Sequence, residues 1–130
     1  GKRETFELYG TDLPTRDGPA IRDYIHVVDI AKAHICALKH LLAGGESRAL
    51  NLGMGHGVTI QELISAIEKA TGQSISVKPM AGRPGDSPEL VVDSSLSKII
   101  LDWQPQLSDT EIIIETALRW HTAKIKRQEG

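Results

Sequence analysis

The chain has 130 residues, 40% of them apolar, which is enough for one packed domain and argues against disorder. Its net charge is -2, so nothing in the charge favours nucleic acid or an anionic membrane as a partner. No apolar run approaches the ~20 residues of a membrane span. The one cysteine, Cys36, cannot form an internal disulfide and is expected to be a small buried hydrophobe. A reducing setting such as the cytoplasm fits best.

The first half of the chain predicts a strand, a long loop and a helix. Alternating residues predict a strand at about Phe6 to Tyr9. A loop rich in turn-forming residues follows, and then an extended stretch from Arg22 to Val27. The spacing of apolar residues predicts an amphipathic helix over about 28–42. The stripe of that helix comprises Val27, Ala31, Ile35, Leu38 and Leu42.

The second half continues the alternation of strands and helices. Residues 49–52 predict a short strand that leads into a glycine-rich turn, and residues 76–80 predict another strand. Thr59 with Glu62 forms a capping box that opens a helix ending at Gly72. A short helix is expected over about 94–101, and Ser108 with Glu111 predicts a capping box for a last helix to about residue 127. The result is a single α/β domain over residues 1–130, with few strands and edges left open for a missing partner.

The glycine-rich turn Gly53–Gly57 allows two interpretations. It lies between a predicted strand and the start of a helix, a place where phosphates often bind. Its spacing is G-x-G-x-G, which is not the dinucleotide fingerprint, and no acidic residue ends the next strand to hold a ribose. The glycines are therefore favoured as a tight turn, with direct phosphate binding as the alternative.

The sequence contains no catalytic unit that can be identified from its motifs. The five histidines show no metal-binding spacing, so no metal site is predicted, and His26 and His34 are expected to be hydrogen-bonded structural residues. There is no G-x-S-x-G motif. Tyr9 and Tyr24 lack a lysine four residues later, so neither forms a Tyr-x-x-x-Lys pair, and no catalytic residue is predicted.

Two arginines on predicted loops are candidates for binding a diphosphate. Arg22 follows a Gly/Pro-rich loop, and Arg83 lies in the sequence Arg-Pro-Gly-Asp that ends at Asp86. A guanidinium group binds phosphate oxygens in a fork, and a carboxylate can accept from ribose hydroxyls. The alternative is that both arginines are ordinary surface charges.

Six motifs resemble those of the UDP-glucose 4-epimerases, and they occur in the family's order over nearly the whole chain. The block Arg-Asp-Tyr-Ile-His-Val favours the epimerases over the related nucleotide-sugar dehydratases. The motifs are Tyr9–Gly18, Arg22–His34, Asn51–Gly55, Arg83–Asp86, Asp102–Pro105 and Arg119–His121.

The resemblance implies the C-terminal substrate-binding domain of an extended short-chain dehydrogenase whose Rossmann half is absent. In this family the Rossmann half carries the NAD-binding loop and the catalytic Tyr and Lys. NAD would then be bound by the missing N-terminal half, and this chain alone would be inactive. The whole enzyme would interconvert UDP-glucose and UDP-galactose, in galactose metabolism, and would typically be a homodimer.

The resemblance also implies roles for individual residues. Arg22 and Arg83 are similar to the family's diphosphate and ribose contacts, and Asp86 to its ribose partner. Three further residues, Glu7, Leu8 and Tyr9, would lie where a strand's backbone meets the edge of uracil, with Tyr9 against the base.

Leu90 departs from the family pattern. Many members have a larger aromatic residue near the sugar at this position, so the resemblance implies a roomier sugar site and less strict preference for glucose and galactose. The alternative is that Leu90 packs against a following strand at Val91–Val92. Two other functions stay open: part of a UDP-N-acetylglucosamine 4-epimerase, and a stand-alone, non-catalytic nucleotide-sugar-binding or structural module.

Overall fold

The computed structural model of the chain describes residues 4–128, with side chains as far as Lys124. Strands and helices alternate along most of the described chain, which confirms the α/β class. In chain order the elements are β1 (Phe6–Tyr9), β2 (Ile21–Arg22), α1 (Val27–Leu42), β3 (Val58–Thr59), α2 (Ile60–Thr71), β4 (Val77–Met80), β5 (Glu89–Leu90), α3 (Ser95–Leu101) and α4 (Thr110–Gln128).

The strands form two small sheets. β1 pairs in parallel with β4, with Phe6 opposite Val77 and Tyr9 opposite Met80. β2 lies between β3 and β5, antiparallel to β3 and parallel to β5. The predicted strands at 6–9 and 76–80 are confirmed, whereas the extended stretch predicted over 22–27 is a strand only at β2.

The capping box that opens α2 is confirmed. The Thr59 hydroxyl accepts from the Glu62 amide at 3.0 Å, and the Glu62 carboxylate accepts from the Thr59 amide at 2.9 Å. The helix ends at Gly72, which adopts the left-handed conformation with φ of 67°. A glycine takes this conformation without steric cost, so the sequence fixes both ends of α2 locally.

The second predicted capping box, between Ser108 and Glu111, is wrong. The Ser108 hydroxyl accepts from the His26 amide at 3.0 Å and donates to the Asp29 carboxylate at 2.7 Å. α4 begins only at Thr110. A distant buried carboxylate therefore binds the serine that local spacing assigned to a helix cap.

Asp29 joins the start of α1 to the segment that precedes α4. Its side chain has no exposed surface, and one carboxylate oxygen accepts from the Gln106 amide (3.0 Å) and the Leu107 amide (2.7 Å) as well as from Ser108. Burial acts to raise the pKa of Asp29, but the hydrogen bonds outweigh it and hold the pKa below its ordinary value. The indole of Trp103 donates to the Asp29 carbonyl at 3.1 Å.

The core lies beside this polar cluster. Ala33, Leu101 and Trp103 form its buried centre. Cys36, expected to be buried, is half-buried against that centre. The structural role expected of His26 is confirmed, because its Nδ1 accepts from the Val28 amide at 3.1 Å and caps α1. That of His34 is confirmed too, since its ring lies 2.8 Å from the carbonyl of Ile30.

The strand predicted at Ala49–Leu52 is absent from the structure. In the described part of the chain the segment has no strand partner, although Leu50 and Leu52 pack against the core. An extended segment becomes a strand only when a neighbour pairs with its backbone. The apolar residues of the segment contact the core as expected, but within residues 4–128 no strand pairs with its backbone.

The apolar stripe of α1 faces outwards. Ile35 is 55% exposed, Leu38 57% and Leu42 80%, whereas the opposite side of the helix, with Asp29 and Ala33, is buried. A stripe of this kind ordinarily packs on the core of its own domain. From Val27 to Leu42 it extends for about 22 Å along the helix. Exposed apolar surface of this kind is typical of an interaction face.

We expect Asp29→Asn to destabilise the fold by about 1–3 kcal/mol, because the amide cannot replace a charged acceptor of three hydrogen bonds. The folded-state pKa lies below that of the unfolded chain, so this carboxylate stabilises the fold above about pH 4. That contribution is lost as the pH falls through the folded-state pKa, and the wild-type and variant unfolding free energies should converge. Denaturant titrations between pH 7 and pH 3 measure this, with the exposed Glu46→Gln as the control. A constant difference across that range would contradict the assignment.

Candidate functional site

The first group of predicted site residues lies around β1. The guanidinium carbon of Arg83 lies 4.9 Å from the centre of the Tyr9 ring, and Arg83 Nε donates to the Asp86 carboxylate at 3.0 Å. The Tyr9 hydroxyl donates to the Glu7 carboxylate at 2.9 Å. Arg83 is 64% exposed, so the pair is screened by water and contributes little to stability. An aromatic face, a guanidinium and two carboxylates thus meet at one exposed surface.

Leu8 differs from its neighbours on β1, because its side chain is 5% exposed and lies in the core. Its side chain is therefore not available to a ligand. The amides of Phe6 and Gly10 donate to carbonyls of β4 and the residue before it, so alternate residues of β1 bond to β4. Glu7 and Tyr9 therefore direct their backbone groups away from β4, as parallel pairing requires.

The second group lies on β2 and β5. Arg22 stands opposite Leu90 in the parallel pairing, and Leu90 is 56% exposed. One terminal nitrogen of the Arg22 guanidinium donates to the Ile21 carbonyl (2.7 Å) and to the Ser87 carbonyl (3.0 Å). No carboxylate in residues 4–128 forms an ion pair with Arg22. Its positive charge stays available for an anion.

The alternative placement of Leu90 is wrong. Residues Val91–Val92 do not form a strand, and Leu90 itself belongs to β5 with its side chain largely in solvent. Since Arg22 is its partner across the sheet, Leu90 lies beside the arginine that the motif assigns to the diphosphate.

The loop 81–88 connects the two groups. Arg83 and Asp86 contact the Tyr9 side of the site, whereas the carbonyl of Ser87 binds Arg22 just before β5 begins. In the described part of the chain no hydrogen bond or ion pair joins Arg22 directly to Arg83. The structure therefore places the predicted residues on one loop and on the three strands β1, β2 and β5, as two groups that this loop connects.

The glycine-rich turn binds a carboxylate of the chain itself. The Asp23 carboxylate accepts from the Met54 amide at 2.9 Å and from the Gly55 amide at 3.0 Å. The start of the following helix is occupied by its capping box. The structure thus favours the tight-turn interpretation of Gly53–Gly57, because two amides that could hold a phosphate already hold a carboxylate.

Sequence reasoning missed the contacts that fix the loop after β1. Arg16 forms an ion pair with Glu62 of the capping box, and its hydrogen bond lowers the pKa of that carboxyl group. The Thr59 hydroxyl donates to the Asp17 carboxylate. Capping residues can be read from spacing, but the distant partner of a capping residue leaves no local signal.

A groove of about 500 Å³ lies away from these residues, between the start of α1 and α4. Its apolar lining includes Ile25, Val27 and Trp120, and none of the predicted site residues contributes to it. The side chains of residues 4–124 contain no group of three metal-ligating residues. None of the helices in the described region is long and apolar enough to cross a membrane.

Comparison with known proteins shows which families the chain is similar to. Residues 2–53 match the sequence pattern of the NAD dependent epimerase/dehydratase family. Over all 130 residues the chain is 47% identical to a UDP-glucose 4-epimerase of Rhizobium meliloti (strain 1021), and it spans 38% of the length of that relative. The resemblance to UDP-glucose 4-epimerases that the motifs indicated is confirmed.

Solved structures agree with the sequence comparison. A UDP-glucose 4-epimerase from Bifidobacterium longum, in complex with NAD+ and UDP, superposes with a TM-score of 0.85 at 36% identity, covering 95% of this chain and 36% of that one. A UDP-Glc/GlcNAc 4-epimerase from Campylobacter jejuni superposes with a TM-score of 0.83 at 38% identity, covering 94% and 37%. The α/β fold of this chain therefore matches about a third of epimerase chains, their C-terminal part.

Proposed function

We propose that this chain is a single domain that binds the UDP portion of the substrate in a UDP-glucose 4-epimerase. The whole protein would interconvert UDP-glucose and UDP-galactose, with NAD bound by the part that its relatives possess beyond this chain. The observation that carries the proposal is the meeting of Tyr9, Arg83 and Asp86 on one surface, beside Arg22 and Leu90 on the neighbouring strands.

Each group on this surface suits one portion of a UDP-sugar. A uracil ring can stack on an aromatic face, and its edge can pair with backbone groups of β1. Asp86 can accept from ribose hydroxyls, while Arg22 and Arg83 supply the positive charge that a diphosphate requires. Leu90 stands next to Arg22, where the sugar would begin.

The residues of this chain would anchor the substrate through the portion that does not react. Binding energy from such a remote portion helps to orient the reacting atoms. The chemistry that NAD would supply, when bound elsewhere in the whole protein, is the reversible acceptance of a hydride from the sugar. The glycine-rich turn of this chain does not suit NAD, because two of its amides already bind the Asp23 carboxylate. We assign no catalytic residue to the chain and expect it to be inactive alone.

The exposed stripe of α1 favours part of a larger enzyme over a stand-alone module. Val27, Ile35, Leu38 and Leu42 present apolar side chains to solvent along the helix. A stand-alone protein rarely leaves such a face uncovered. We propose that the remainder of the longer protein packs on it and pairs with the unpaired segment at Ala49–Leu52.

Replacing either arginine should weaken binding of UDP. Loss of one charge-assisted contact costs about 1.5–3 kcal/mol, so Arg22→Ala and Arg83→Ala should each raise the Kd by about tenfold or more. Calorimetric titration of UDP into the chain measures this. The matched control is Arg48→Ala, whose side chain forms only an exposed pair with Glu46. Equal affinity in all four proteins would rule out binding of the diphosphate by these arginines.

The stripe can be tested with a chimera that joins the remainder of the Rhizobium meliloti relative to this chain. The double substitution Ile35→Glu and Leu38→Glu should leave the isolated chain folded, within about 0.5 kcal/mol, because both side chains are exposed. In the chimera it should abolish epimerase turnover, since buried charges would separate the two parts. Lys39→Glu on the same helix is the control. Full activity of the charged chimera, or turnover of UDP-galactose by the chain alone, would contradict the proposal.

Leu90 supports a second candidate substrate, UDP-N-acetylglucosamine. Its exposed side chain is smaller than an aromatic residue and leaves room beside the sugar. In the same chimera, Leu90→Tyr should lower kcat/KM for the N-acetylated sugar by about tenfold relative to UDP-glucose, because an added ring would clash with the N-acetyl group. Leu96→Tyr, at another exposed leucine, is the control. An unchanged ratio of kcat/KM values would show that Leu90 does not face the sugar.

A further inference from the structure

Asp23 contacts two parts of the chain at once, the end of β5 and the glycine-rich turn. Its backbone amide donates to the Leu90 carbonyl at 3.1 Å and so extends the pairing of β2 with β5 by one residue. Its carboxylate spans two consecutive amides of the glycine-rich turn, those of Met54 and Gly55. Both oxygens accept at 2.9–3.0 Å, the geometry of a full two-point contact.

The turn is packed against Asp23 without spare room. A Cβ added at Gly53 would lie 2.6 Å from the Asp23 carboxylate and would overlap the side chain of Val92. A Cβ at Gly57 would overlap Ile21 and come within 2.7 Å of Val91. The glycines allow the turn to lie directly across the end of β2 and the residues that follow β5.

The side chain of Arg22 points away from the turn, but the pairing of β2 with β5 fixes its position too. Consecutive residues of a strand direct their side chains to opposite faces. Asp23 binds the turn on one face, and Arg22 reaches the Ser87 carbonyl on the other. β2 contains only two residues, so a short strand pair by itself holds Arg22 and Leu90 weakly. The carboxylate adds two hydrogen bonds at the end of this pair.

We propose that Asp23 is a positioning residue for the UDP site: by holding the turn Gly53–Gly55 across the paired strands β2 and β5, it fixes the place from which Arg22 binds the diphosphate. The inference rests on the proposed function. Asp23 itself does not touch the ligand, because its carboxylate is directed into the turn and would repel a phosphate. Its effect on binding passes through Arg22.

A set of double-mutant cycles tests this coupling. UDP is titrated calorimetrically into the wild-type chain, Asp23→Asn, Arg22→Ala and the double variant. Asp23→Asn retains the shape of the side chain but turns an amide donor towards one of the two N–H groups. It should weaken binding about fivefold in the wild type and less than twofold in the Arg22→Ala background, as expected of coupled residues.

A second cycle separates positioning from general loosening of the fold. Arg83 lies in the other group of the site, so the effects of Asp23→Asn and Arg83→Ala should be additive. Gly53→Ala disturbs the same contact from the opposite side and should reproduce the selective loss. Thermal unfolding checks that each variant remains folded at the temperature of the titration.

The outcomes distinguish the two proposals. Additive effects in the Arg22 cycle, equal coupling to both arginines, or unchanged affinity in Asp23→Asn would overturn the positioning role while leaving the UDP site intact. Absence of UDP binding by the wild-type chain would overturn the proposed function, and the positioning role with it.

Discussion

The buried carboxylate of Asp29 is the interaction on which the arrangement of the rest depends. It binds two backbone amides and one hydroxyl from residues 106–108, and so attaches the start of α1 to the approach to α4. Its own carbonyl accepts from the indole of Trp103 at the centre of the core. A carboxylate without exposed surface is stable only when such donors surround it. The position of the start of α1 relative to residues 103–108 follows from this one cluster.

The candidate site combines two groups of residues. Arg22 and Leu90 lie on short paired strands, whereas Arg83 lies on an exposed loop, contacts the Tyr9 ring and pairs with Asp86. In the proposed function, the first group supplies a charge beside the diphosphate, and the second meets the base and the ribose. The exposed apolar side of α1 is consistent with a domain that acts together with a second one, because the core of this domain does not cover the stripe.

Features that depend on neighbouring residues could be predicted from the sequence, whereas features that depend on distant partners could not. The capping box at Thr59, the left-handed Gly72 and the strand at Phe6–Tyr9 depend on neighbours within a few residues, and the sequence predicted them. The role of Ser108 and the binding of the turn by Asp23 depend on partners more than thirty residues away. The strand expected at Ala49–Leu52 is absent and the predicted stripe of α1 is exposed for a related reason, since both patterns call for a packing partner that residues 4–128 do not supply. The motifs located the candidate residues, but their grouping around loop 81–88 required the structure.

The most direct test of the central claim is an NMR titration of the chain with UDP, following the side-chain Nε–H signals of Arg22 and Arg83 in nitrogen-correlated spectra and the Tyr9 ring in carbon-correlated spectra. The account predicts that these signals shift together and saturate with one dissociation constant, while the indole signal of Trp120 in the separate groove stays in place. Shifts confined to Trp120, or arginine signals that do not move at saturating UDP, would contradict it.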